Sequence, residues 1–251
     1  MKKLTIPYFQ TETFGAVDGP GVRYVVFVQG CYYRCLFCHN PESWDLNRKV
    51  KRFTADEIIE KYKHSIEFYK NGGITISGGD PTVYLDFLIE LARKCYEQDI
   101  SLAIDTSGVN FTKSTESKHI RICKYKPLWI VDIKQINPKK HKELVGIAEQ
   151  REINLIKFLE TNKQRFWVRH VLLPKYTDNK EDLTKLGEFI GSLKYIERFE
   201  LLPYHNMAIP KYKELKIKYP LMGINPPTHK QIQKAMEYIK QGQRNKKQLW
   251  N

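Results

Sequence analysis

The chain has 251 residues, 41% of them hydrophobic, and a formal net charge of +14. That length suits one large domain or two small ones, with enough apolar content for a sizeable core. No apolar run reaches membrane-spanning length, no charged-then-apolar signal opens "MKKLTIPYFQ", and five cysteines with three in one loop make no disulfide framework, so a soluble, cytoplasmic protein with reduced thiols and no membrane partner is expected.

The elements follow in chain order. "RYVVFVQG" is a continuous apolar run ending in glycine, the pattern of a buried parallel strand. A helix is predicted over "TADEIIEKYKHSIEFYKNGG", with Thr54 and Glu57 as a capping box and Ile58, Ile59, Tyr62 and Ile66 on one face. Strand "GITISGG" and helix "VYLDFLIELARKCYEQD" come next, the helix burying Phe87, Leu88, Leu91 and Cys95. Strand "SLAIDTSG" leads to a helix near Ser114–Lys124, and strand "LWIVDIK" to a helix at Ile153–Asn162. Strand "RFWVRHVLLP" precedes a helix over Asp182–Leu193. The last strand is "RFELLPYH", and a closing helix spans about Thr228 to Gly242, leaving "QGQRNKKQLWN" as a frayed end. About six strand–helix units in an α/β chain imply a parallel sheet or an incomplete (β/α)6 barrel with outer helices. A single domain over 1–251 is expected, with a core of about 20–205 and a C-terminal loop and helix at 206–251. In such folds ligand groups gather at the C-terminal strand ends. Here those ends carry "QGC", "SGGD", "DTSG", "DIK", "VRHV" and "LLPYH".

The excess of lysine runs along the whole chain, without a helix-turn-helix, zinc-finger or RNA-recognition signature. A solvated surface is expected from it, and no nucleic-acid partner.

Cys31, Cys35 and Cys38 stand in a C-x3-C-x2-C loop, followed at once by His39. Zinc could use the three thiolates and His39, although adjacent residues rarely reach one tetrahedral ion. A redox pair of Cys35 and Cys38 leaves Cys31 unexplained. An iron–sulfur cluster fits thiolate ligands best, and three ligands leave one iron open to an outside molecule. Cys95 and Cys123 read as core residues.

The C-x3-C-x2-C spacing after a first strand resembles the radical S-adenosylmethionine enzymes. "DGPGVR" (Asp18–Arg23), "CHNPESW", "HKELVG" (His141–Gly146), "LPYH" (Leu202–His205) and "NPP" (Asn225–Pro227) resemble the glycyl-radical-enzyme activases among them, and specifically the compact type without a second cysteine cluster. The resemblance covers nearly the whole chain. It implies that Cys31, Cys35 and Cys38 bind a [4Fe–4S] cluster and that S-adenosylmethionine occupies the open iron. It implies no side-chain acid or base; the cluster and cofactor carry the chemistry and the protein orients and shields. Gly78 and Gly79 would allow close approach to the ligand, and Asp80, where the family usually has Glu, would take the methionyl amino group. Asp105, Asp132, Ile133 and Lys134 would surround the methionyl carboxylate, with a monovalent cation between the two aspartates. Phe37 and His39 would line the adenine pocket, and His205 would reach the nucleoside. Arg169 carries a weaker signal and could simply pair with a surface acid. Asp18 would contact the partner's glycine loop, cap its own turn, or both. The implied partner is a glycyl radical enzyme, foremost pyruvate formate-lyase, with a diol dehydratase or the anaerobic ribonucleotide reductase as alternatives. The implied electron donor is reduced flavodoxin or ferredoxin, and a monomer is expected.

Overall fold

A computed structural model describes residues 3–248 of the chain. It divides into two compact units, each built from three separated stretches. The first holds the residues up to Tyr32, Glu42–Val131 and Arg151–Phe166. The second holds Tyr33–Pro41, Asp132–Gln150 and the chain from Trp167 onward.

In the first unit the strand order is β3 (Arg52–Phe53), β1 (Ile6–Gly15), β2 (Arg23–Val28), β4 (Gly73–Gly78), β5 (Leu102–Thr106) and β6 (Leu128–Asp132). Strands β2, β4, β5 and β6 run parallel, in register from Arg23↔Gly73 to Val28↔Gly78 across the first pair. Val25, Val26, Ile74, Ile76, Ala103, Ile104, Ile130 and Val131 are fully buried. That explains the unbroken apolar runs: a parallel strand covered on both faces has no polar side to show. Strands β1 and β3 are antiparallel additions on the β2 side. The sequence reading has no strand there, because "IPYFQTETFG" is half-exposed and mixes polar with apolar residues.

Arg23 fastens the N-terminal ends of these strands. Its guanidinium donates to Thr75 Oγ1 at 3.0 Å, to the Ile74 carbonyl at 2.7 Å and to Ser101 Oγ at 3.1 Å. Burial pushes its pKa down to about 10, still protonated at neutral pH. The arginine of "DGPGVR" is therefore a structural cation with most of its donors answered.

Helix α1 (Ala55–His64) starts at the expected capping box, with Glu57 N donating to Thr54 Oγ1 and Thr54 N to Glu57 Oε2. It buries Ile58, Ile59 and Tyr62; each such aliphatic side chain stabilises by about 1.5–3 kcal/mol. Ile66 does not share that face: the helix ends at His64, a 3-10 turn follows at Ile66–Tyr69, and Ile66 is 47% exposed. Helix α2 (Leu85–Glu97) buries Phe87, Leu88, Leu91 and Cys95 as expected. Helix α3 (Glu116–Cys123) ends on buried Cys123, and α5 (Arg151–Thr161) lies close to its predicted span.

The second unit carries α4 (Pro138–Val145), β7 (Phe166–Leu172), α6 (Lys180–Gly191), β8 (Ile196–Pro203), α7 (Ile209–Glu214) and α8 (His229–Gln248). All six predicted strands are thus present as β2 and β4 to β8. Helices α4 and α7 are absent from the sequence reading. Helix α8 starts on a capping arrangement at Thr228, whose Oγ1 accepts from Gln231 N while Gln231 Oε1 accepts from Thr228 N. It does not stop at Gly242, and residues 241–248 of the expected frayed end are helical; Leu249 to Asn251 lie outside the described residues. The reason is packing against α6. A Cβ on Gly242 would sit 2.0 Å from the Thr184 carbonyl, and one on Gly187 would sit 2.1 Å from the Ile239 carbonyl. Gly242 is here a contact residue between two helix backbones, not a C-cap.

Candidate radical-chemistry site

In the first unit, Gln29 and Gly30 carry β2 into buried Cys31. The Gln29 amide donates to the carbonyls of Glu42 (3.0 Å) and Asp45 (2.8 Å), and Gly30 N donates to Ser43 O at 2.6 Å. These bonds close the neck on either side of the 33–41 stretch. The end of β4 is tied to the same segment: Gly79 N donates to Val28 O (2.8 Å) and Asp80 N to Gly30 O (2.9 Å). Gly78 has φ of +109°, and a Cβ there would meet Val28 N at 2.3 Å; one on Gly79 would meet Gly30 O at 2.3 Å. Both glycines let the chain's own backbone pass closely beside Cys31.

The Asp80 side chain is fully buried. Its carboxylate accepts from Thr82 N (2.9 Å), Thr82 Oγ1, Thr106 Oγ1 (2.8 Å), Ser107 N (2.8 Å) and Ser107 Oγ (2.7 Å). Asp105 is half-buried, and Ser77 Oγ donates to its Oδ2 at 2.7 Å. Asp18 lies elsewhere. It precedes β2, whose six residues span about 20 Å before the chain turns toward Cys31. The Asp18 backbone carbonyl accepts from Thr75 Oγ1 at 2.7 Å, which ties this turn to β4. Asp18 is therefore not brought to the cysteine end of its strand.

In the second unit, the cysteine loop is bracketed by the end of α4. Arg34 N donates to the Val145 carbonyl and Leu36 N to the Leu144 carbonyl, both at 2.9 Å. Terminal carbonyls of a helix lack intrahelical partners, so the loop supplies them. Asn137 caps the other end of α4, and Gly146 closes it in the left-handed region. His141 is fully buried, its Nδ1 donating to Ile147 O at 3.0 Å and its ring edge-on to Tyr33. "HKELVG" is thus the seat of the loop. A turn from Cys38 N to Cys35 O (3.0 Å) follows, and Tyr212 on α7 donates to the Cys38 carbonyl at 3.2 Å. Lys211 Nζ donates to Asn40 Oδ1 at 2.8 Å. Phe37 lies with its ring 5.5 Å from Lys134 Nζ. Lys134 also reaches Asp132 Oδ2, and Ile133 between them is fixed on both sides: its N donates to Arg169 O (2.8 Å) and its O accepts from His170 Nδ1 (2.7 Å). His39 and His205 are both exposed and meet edge-to-face at 4.7 Å. Arg169 pairs with Glu200 at 2.7 Å; its side chain is 8% and Glu200 17% exposed, so the acid is not a surface one.

None of the five cysteines is held in a disulfide. Burial pushes Cys95 and Cys123 up to about 12, which fits their expected core role. Among the described residues no three of His, Cys, Asp and Glu gather as ligands of a single metal ion. The requirements differ: structural zinc needs four ligands on one centre, whereas the thiolates of an iron–sulfur cube bind separate irons. Three thiols in a loop braced from both sides suit the second donor set.

Residues 17–153 match the family described as a 4Fe-4S single cluster domain. The pyruvate formate-lyase-activating enzyme of Listeria monocytogenes is 42% identical over 232 residues, covering 91% of this chain and 93% of that protein. The enzyme of the same name from Streptococcus mutans is 40% identical over 242 residues, covering 95% and 92%. The chain belongs to the pyruvate formate-lyase-activating enzyme family. Solved structures agree on the fold. A domain of pyruvate-formate lyase-activating enzyme from Bacteroides vulgatus aligns at TM-score 0.54 and 22% identity, over 68% of this chain and 94% of that one. Streptococcus suis SuiB bound to S-adenosylmethionine aligns at 0.62 and 22%, over 83% and 44%.

As a pyruvate formate-lyase-activating enzyme family member, the chain has supports for its cysteine loop that sequence reasoning missed. They are the α4 carbonyls, Tyr212 and Gln29. The signal for α4 was readable in "NPKKHKELVG": Asn at the cap, Pro at the first helical position and Gly just past the end. Tyr212 gives no local signal, because Cys38 lies far earlier in the chain.

Proposed function

We propose that this protein activates pyruvate formate-lyase by radical S-adenosylmethionine chemistry at one catalytic domain. The observation that carries the reading is the C-x3-C-x2-C loop held at its neck by Gln29 and at its tip by the α4 carbonyls, in a chain about 40% identical over nine-tenths of its length to enzymes of that name. The interleaving of the two compact units along the sequence supports a single domain, since independent domains would not exchange the chain so often.

Cys31, Cys35 and Cys38 would hold the [4Fe–4S] cluster. Bound there and given one electron by an external donor, that cluster would supply the reductive cleavage of S-adenosylmethionine, with release of methionine, that drives hydrogen-atom abstraction from a backbone glycine of the partner. The chain's own residues bind and orient. Lys134 neutralises the methionyl carboxylate, and the Arg169 and His170 bonds to Ile133 keep the strand end in place for it. A monovalent cation would answer the like charges of Asp105 and Asp132. Phe37, His39 and His205 line the nucleoside pocket, and Gly78 and Gly79 set the backbone beside Cys31. Asp18 at the β2 turn is a partner contact outside the cofactor's reach. The partner glycine must be brought to the nucleoside and kept from water, so the pocket is sealed only when the partner loop is in place.

The basic surface suits an acidic electron donor such as reduced flavodoxin or ferredoxin. The protein acts as a monomer in the cytoplasm, and no helix among the described residues is long and apolar enough to cross a membrane. The test is anaerobic reconstitution with iron and sulfide, then activation of a panel comprising pyruvate formate-lyase, a diol dehydratase and the anaerobic ribonucleotide reductase. A glycyl electron-spin signal on pyruvate formate-lyase is expected. A signal on one of the others alone would move the target, and a colourless zinc protein would end the radical reading.

A further inference from the structure

Asp80 follows the two glycines at the end of β4, and its surroundings are unlike those of a residue waiting for a ligand. An ionised carboxylate offers about four lone-pair positions. Five donor groups of this chain compete for them. Oδ1 takes Thr82 N and Thr82 Oγ1, Oδ2 takes Ser107 N and Ser107 Oγ, and Thr106 Oγ1 lies 2.8 and 2.9 Å from the two oxygens. Thr106 Oγ1 gives its one proton to the Asp80 carboxylate and accepts from Gly108 N at 2.9 Å. Asp80 and Thr82 are fully buried, Thr106 is 3% exposed and Ser107 7%. No acceptor position is left for a ligand ammonium group.

We infer that Asp80 is an internal clasp that fixes the C-terminal ends of β4 and β5 to one another, and that it does not bind the methionyl amino group. Its backbone extends the clasp to β2, since Asp80 N donates to the Gly30 carbonyl at 2.9 Å, one residue ahead of Cys31. Asp80 is thus a positioning residue for Cys31. The short side chain is what this requires. A Glu would move its carboxylate by one methylene from the five donors that now surround it, and inserting a methylene into a fully buried site is destabilising. The inference deepens the S-adenosylmethionine reading and rests on it only for the ligand.

The test uses the full cluster-loaded chain and its Asp80→Asn, Asp80→Glu and Thr106→Val variants. Melting temperature and amide exchange at 77–82 and 105–110 are measured, together with Kd for S-adenosylmethionine and for its analogue lacking the amino group. A clasp predicts that Asp80→Asn and Asp80→Glu each lower Tm by about 5 °C or more. It predicts faster exchange at both strand ends. It also predicts that Asp80→Asn weakens the two ligands by the same factor, because the lost interaction is not with the amino group. Thr106→Val keeps the shape and removes one donor, so it folds and still speeds exchange at 77–82. The inference is overturned if Asp80→Asn leaves Tm and exchange unchanged, if it weakens S-adenosylmethionine at least about tenfold more than the analogue, a difference of roughly 1.4 kcal/mol, or if Asp80→Glu tightens S-adenosylmethionine without loss of Tm. If the unmutated protein binds neither ligand, the S-adenosylmethionine reading fails, while Tm and exchange still decide the clasp.

Discussion

Lys134 Nζ lies 2.8 Å from Asp132 Oδ2, with the two side chains only 13% and 21% exposed. The same ammonium stands 5.5 Å from the centroid of the Phe37 ring, so one lysine links the strand-end acid to the residue before Cys38. A partly buried pair of this kind is screened less than a surface ion pair.

Lys134→Met should therefore weaken S-adenosylmethionine binding to the cluster-loaded protein by roughly 10–100-fold, since a hydrogen bond to a charged group contributes about 1.5–3 kcal/mol. Equilibrium dialysis under anaerobic conditions measures it. A loss below about threefold would remove Lys134 from the carboxylate.

The cysteines should separate into two classes. With Cys95 and Cys123 pushed up to about 12 by burial, roughly one in ten thousand of either is thiolate at about pH 8. Iodoacetamide should label half-buried Cys38 of the cluster-free protein and spare both, as peptide mass spectrometry would read. Cys38→Ala should abolish reductive cleavage of S-adenosylmethionine. Cys95→Ala should keep its iron content and cost only about 1 kcal/mol in packing. Labelling of Cys95 ahead of Cys38 would contradict the assignment.

Gly242→Ala should destabilise by about 1–3 kcal/mol even though Ala is the better helix former by about 1 kcal/mol. The added Cβ would lie 2.0 Å from the Thr184 carbonyl, so α6 and α8 must move apart. A thermal melt decides it: a raised Tm would mean that the two helices do not pack as described.

Stability should fall on mild acidification. Burial, ahead of every other cause, holds His119 and His170 below the ordinary histidine range. Unfolded histidine protonates near about pH 6.5, so below that pH the unfolded chain binds more protons than the folded one. Stability then rises with pH across this window and is lost as pH falls below it. The urea midpoint should drop between about pH 7 and about pH 5, and replacing both histidines with Gln should flatten that drop. An equal slope in the double variant would mean that other groups carry the effect.

The sequence by itself determined the six strands β2 and β4 to β8, the cysteine motif and the family. Strands buried on both faces must be apolar throughout, as in "RYVVFV" and "LWIVD", and thiolate ligands must be cysteines at a spacing the loop can turn. Capping boxes and periodic faces are local, so α1 and α2 were legible too. Tertiary structure alone decided what has distant partners. The carbonyls of Leu144 and Val145 brace a loop that lies far earlier in the chain, around Arg34 and Leu36. Gly242 continues its helix because α6 needs the space, and Ile66 turns outward because α1 ends before it. At Gly78 and Gly79 only the tertiary structure shows that a Cβ would collide with the backbone of Val28 and Gly30. Asp80 shows the limit most clearly. A carboxylate after two glycines reads as a ligand contact, and only the positions of Thr82, Thr106 and Ser107 reveal that its acceptors are filled.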